Sequence, residues 1–82
     1  MKVVLSPKAV KYLERLNEPL KSRIKNGLSK LEKEPQEGDI KALSVEMGFR
    51  LRIGNYRVLF GIKGDKIIVT DIIPRGGAYK RR

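Results

Sequence analysis

Four arginines mark where this chain could do chemistry. Arg50, Arg52 and Arg57 fall in the run Gly48-Phe49-Arg50-Leu51-Arg52-Ile53-Gly54-Asn55-Tyr56-Arg57-Val58-Leu59-Phe60. Arg75 opens the closing run Pro74-Arg75-Gly76-Gly77-Ala78-Tyr79-Lys80-Arg81-Arg82. Guanidinium groups are permanently charged forks that match phosphate oxygens two at a time. Like charges set side by side repel, so a cluster of them implies an anion to hold. The chain has no histidine and no cysteine. Imidazole and thiolate metal sites are therefore excluded, as are Ser-His and Cys-His nucleophile pairs. Catalysis would have to run on Tyr, Lys, Arg, Asp, Glu or backbone groups.

A hairpin would position these arginines. Gly54-Asn55 is a two-residue turn signal, because Gly takes the positive φ that a tight primed turn needs. Folding there pairs Ile53 with Tyr56, Arg52 with Arg57, Leu51 with Val58 and Phe49 with Phe60. Side chains alternate faces along a strand. Phe49, Leu51, Ile53, Tyr56, Val58 and Phe60 then form a core face, and Arg50, Arg52 and Arg57 an open one. A third strand over 66–73, apolar on both faces as an interior strand would be, follows the turn at Gly64-Asp65. A simple register there places Arg57 beside Ile72 and Asp71 beside Val58 on the core side. A buried aspartate argues for a bulge or a dedicated partner. Arg75 would leave this strand within reach of the cluster, and the two glycines would let Tyr79 return over the same face.

The first half of the chain supplies the other layer. Residues 2–5 read as a strand, and Ser6-Pro7 as a helix start. Ala9, Val10, Leu13 and Leu16 recur at helical spacing, and Asn17-Glu18-Pro19 separates them from a second stripe of Leu20, Ile24, Leu28 and Leu31. Lys21, Arg23, Lys25, Lys30 and Lys33 cover much of the rest of that helix as a solvated face. Gly27 there would permit close packing. Residues 40–47 carry no clear pattern, with Ile40, Ala42 and Leu43 tucked under the sheet. The expected architecture is α+β with the order β-α-α-β-β-β. A helical hairpin packs on one face of a small, largely antiparallel four-stranded sheet, and residues 1–82 form a single domain.

Nineteen Lys and Arg against nine Asp and Glu give a formal charge of +10, which favours a polyanionic partner. No segment approaches the roughly 20 apolar residues of a membrane span. Met1–Leu5 reads as a strand and not as a leader. The absence of cysteine suits the cytoplasm.

The strand-turn-strand run with Arg50, Arg52 and Arg57, followed by an apolar strand and Pro-Arg-Gly-Gly-Ala-Tyr-Lys, resembles the RelE branch of the RelE/ParE toxin superfamily. The resemblance spans nearly the whole chain, and Arg75 with Tyr79 is the part specific to the ribonuclease branch. It implies the toxin of a type II toxin–antitoxin pair, a ribosome-dependent endoribonuclease that cuts mRNA in the ribosomal A site. An acidic antitoxin would be its inhibitor, and no metal or cofactor is needed. By that resemblance Arg52, Arg57, Arg75 and Tyr79 are catalytic, while Arg50, Lys80 and Arg81 bind RNA phosphate. The RNA 2′-OH would attack phosphorus, leaving a 2′,3′-cyclic phosphate, with Tyr79 as general base. The alternative is a ParE-like gyrase inhibitor or a catalytically weak toxin that only occupies nucleic acid.

Overall fold

Seven elements follow one another in the computed structural model, which describes residues 1–74. They are β1 (Lys2–Leu5), α1 (Pro7–Arg15), α2 (Leu20–Leu31), β2 (Asp39–Ser44), β3 (Gly48–Ile53), β4 (Tyr56–Lys63) and β5 (Lys66–Pro74). The strands form one sheet in the order β1-β5-β4-β3-β2. Three neighbouring pairs are antiparallel, and β1 runs parallel to β5. The expected four strands are thus corrected to five, and the sheet is mixed.

The additional strand is β2. Ile40 pairs with Leu51 and Ala42 with Phe49, but the register slips between Ala42 and Ser44. That irregularity interrupts the period of two on which a strand is recognised in sequence. Pairing with β3 supplies what the local pattern lacks, so residues 40–43 extend the sheet and do not tuck beneath it.

α1 is fixed at its start as its sequence suggests. Ser6 Oγ accepts from the Ala9 amide at 3.1 Å and donates to the Thr70 carbonyl at 3.0 Å. The cap therefore also ties the helix to β5. α1 buries Ala9 and Leu13, and α2 buries Ile24, Leu28 and Leu31. These meet Leu51, Val58, Phe60, Ile67, Val69 and Ile72 from the sheet. Burying these aliphatic and aromatic side chains is the main favourable term, at roughly 1.5–3 kcal/mol for each large one. Gly27 brings α2 close to β3, since a methyl group at that position would run into Ile53 Cδ1.

The β4–β5 ladder contains the bulge that Asp71 suggested. Phe60 pairs with Val69, but Leu59 pairs with Asp71, leaving Thr70 as the extra residue. Ile72 thereby comes opposite Val58 on the core side. Asp71 finds its partner in Lys8 of α1, 3.3 Å away. Among the described residues no helix is long and apolar enough to cross a membrane.

Candidate nucleic-acid interface

The β3–β4 hairpin has the expected register, with Arg52 directly opposite Arg57 and Arg50 opposite Leu59. Gly54 at the turn has φ +57°, and among the described residues no non-glycine residue has positive φ. Positive φ at the first turn position alone fits a type II′ turn, whose twist matches that of the strands. Arg50, Arg52 and Arg57 share the face away from the helices. From β5, Ile73 stands opposite Arg57, where a bulge-free register places Ile72. Leu59 and Ile73 are both nearly buried on this side, so the guanidinium groups rise from an apolar base. Water is scarcer there, and charge interactions are stronger than at a fully wetted surface.

The cluster carries its own counterion. Asp39, at the start of β2, lies opposite Arg52. Its carboxylate oxygens stand 3.3 Å from Arg50 Nη1 and 3.6 Å from Arg52 Nε. Arg50 Nη1 also donates to the Asp39 carbonyl at 2.9 Å. The Arg50 side chain is only 12% exposed, whereas that of Arg52 is 52% exposed. Arg50 is therefore largely engaged in holding β2 to β3. Arg52 and Arg57 line a polar notch of about 210 Å³ with Gly54 and Asn55. Arg57 enters it from a fixed root, because its Nε is sealed from solvent. Two guanidinium groups converging beside a glycine turn can grip a phosphate in bidentate fashion.

Arg75, Tyr79, Lys80 and Arg81 lie outside the described residues. β5 runs as far as Pro74, which stands opposite Tyr56 and so beside the Arg57 pair. Tyr56 itself packs against the core. Its ring centroid is 6.5 Å from that of Tyr12. Burial, with the adjoining Tyr56 hydroxyl, raises the Tyr12 pKa above its ordinary value.

Sequence reasoning missed two residues of this region. Asp39 closes the turn-rich segment Glu34-Pro35-Gln36-Glu37-Gly38-Asp39, and only the pairing of β2 brings it to the arginines. Arg23 read as part of a solvated helix face. Its guanidinium instead reaches the hairpin turn, where a Cβ on Gly54 would stand 2.8 Å from Arg23 Nη2.

This fold has close counterparts among solved toxin–antitoxin complexes. A chain of the archaeal RelE–RelB complex from Pyrococcus horikoshii OT3 is 26% identical, with 94% of this chain and 97% of that one covered at a TM-score of 0.74. A chain of the RelB–RelE antitoxin–toxin complex from Methanococcus jannaschii is 25% identical, with 93% and 94% covered at a TM-score of 0.75. The toxin–antitoxin complex RelBE2 from Mycobacterium tuberculosis, at 23% identity, 90% and 96% coverage and a TM-score of 0.74, shares the fold. No curated protein sequence matches the chain significantly.

Residues 3–79 match the model of the ParE toxin of type II toxin-antitoxin system, parDE. The chain belongs to this family, and with it to the RelE/ParE superfamily; it is the toxin of a type II toxin–antitoxin system.

Proposed function

We propose that this toxin is an endoribonuclease that cuts mRNA on the ribosome. The observation that carries the reading is the Arg52–Arg57 pair, two arginines directly opposite each other on the hairpin that line one polar notch. Similarity to RelE chains at 25–26% identity over more than nine-tenths of the sequence supports it. The 2′-OH oxygen attacks the adjacent phosphorus and the P–O5′ bond breaks. The products are a 2′,3′-cyclic phosphate and, once the departing O5′ has taken a proton from water, a 5′-OH. Tyr79 takes the 2′-OH proton, its phenolate favoured by neighbouring positive charge. Arg52, Arg57 and Arg75 stabilise the added negative charge of the pentacoordinate transition state. Arg50, Lys80 and Arg81 hold flanking phosphates, with Arg50 acting where it emerges beside Asp39. The ribosomal A site aligns the message, and the protein works in the cytoplasm.

The inhibitor of this toxin is an acidic antitoxin drawn to the +10 chain. The solved relatives above are themselves toxin–antitoxin complexes, which supports this. Assignment to the ParE family favours a second reading, inhibition of DNA gyrase. Primer extension on a translated message, beside a supercoiling assay, separates the two. Cuts with cyclic-phosphate ends and normal supercoiling are expected. An intact message with inhibited supercoiling would replace the ribonuclease with the gyrase inhibitor.

A further inference from the structure

We propose that the groove between α2 and β3 is a second RNA subsite, holding the nucleotide next to the one at the Arg52–Arg57 notch. This rests on the ribonuclease reading and extends the site that it uses. Arg52 lines both cavities: the notch on the open face and a groove of about 310 Å³ on the helix side. A strand gripped at the notch enters the groove by rounding the end of the hairpin beside Arg52, where β2 begins.

The groove has the chemistry of a nucleotide site. Its floor is apolar, formed by Leu51 and Ile53, and Gly27 lies against Ile53 with no side chain of its own to fill the space. Its rim carries Arg23, Asn26 and Lys30. These three follow one stripe of α2, at i, i+3 and i+7. Arg23 and Lys30 supply charge for phosphate. The Asn26 amide offers both donors and an acceptor to a base edge. Gly54 allows Arg23 to lie against the hairpin turn, so the helix cation borders the sheet cations. One acid, Glu37, lines the groove, and Lys33 answers it at 3.6 Å. A volume near 300 Å³ is at the lower end for small-ligand sites and suits one nucleotide.

The test is fluorescence anisotropy of the full chain with a labelled single-stranded RNA about 12 nucleotides long. Two double variants remove the same charge from the same helix: R23Q/K30Q at the groove and K21Q/K25Q away from it. All four side chains are outside the core, and circular dichroism confirms folding. R23Q/K30Q is expected to weaken binding about tenfold and lower the salt slope by roughly 1.4, the value for two phosphate contacts on a single strand. K21Q/K25Q is expected to change affinity by less than about twofold. N26A should weaken binding with the salt slope unchanged. Equal losses in the two double variants would overturn the subsite, leaving only general charge attraction. So would polyglutamate competing for R23Q/K30Q-sensitive binding as well as RNA does, since the groove would then take acidic protein. Normal RNA binding by R23Q/K30Q in a toxin that still cleaves removes the subsite and spares the ribonuclease reading. Absence of cleavage with the Arg23 and Lys30 dependence intact does the reverse.

Discussion

Arg50 and Asp39 are joined twice: the guanidinium Nη1 lies 2.9 Å from the Asp39 carbonyl and 3.3 Å from its carboxylate. The first contact belongs to the backbone of β2 and survives any change of the side chain. The second places a negative charge inside the arginine cluster, where a phosphate must compete with it. Asp39→Asn should therefore tighten RNA binding severalfold and steepen the salt slope by about 0.7, as for one further phosphate contact. Anisotropy titrations at several salt concentrations measure this. Weaker binding by the variant would show that Asp39 orients the arginines more than it competes for them.

Arg52 and Arg57 test whether function opposes stability on this face. Like charges directly opposite each other across a strand pair are destabilising. Arg52 is half exposed, and its contact with Asp39 is long at 3.6 Å. Arg52→Gln should change unfolding free energy by no more than about 0.5 kcal/mol in either direction. It should nevertheless reduce RNA affinity and cleavage. Parallel denaturant melts and cleavage assays separate the effects, and a large loss of stability would make Arg52 a structural residue first.

Acid should weaken the start of α2 through Glu18. Its carboxylate accepts from Ser22 Oγ at 2.6 Å and from the Ser22 amide at 3.1 Å. These bonds hold its pKa below the ordinary 4.5. The folded value lies under the unfolded one, so the stabilisation is complete above the unfolded value. It is lost as pH falls through the folded value. Thermal melts of the wild type and Glu18→Gln should differ at about pH 6 and draw together as pH falls below the ordinary carboxylate range. A constant gap across that range would mean the bond to Ser22 does not depend on the charge.

Tyr79→Phe isolates the proposed base. The ring is kept, and with it any stacking on a nucleobase. Only the proton acceptor goes. Single-turnover cleavage should fall by about 10²–10⁴ with ribosome binding nearly unchanged. The wild-type rate should rise with pH until the tyrosine is deprotonated. Near-normal cleavage by the variant would shift the base role to Lys80 or to water.

The sequence by itself determined the β3–β4 hairpin, its register and the division of its residues between core and arginine face. All three are local: alternation assigns the faces, and a glycine that accepts positive φ fixes the turn. The start of α1 at Ser6-Pro7 was legible for the same reason. Asp71 announced the β4–β5 bulge as a conflict but not its position. Only packing chose Thr70 as the extra residue, which moved Ile72 to the core and set Ile73 opposite Arg57. Tertiary structure alone decided the fifth strand, whose period of two is broken by the slip between Ala42 and Ser44, and the parallel pairing of β1 with β5, which joins segments far apart in the chain. The pairing of β2 with β3 delivered Asp39 to Arg50 and Arg52. The close approach of α2 to the hairpin at Gly27 and Gly54 delivered Arg23 to the turn. Local pattern tells a side chain which face it occupies; the partners it meets there come from elements elsewhere in the chain, and burial of the common core brings them together.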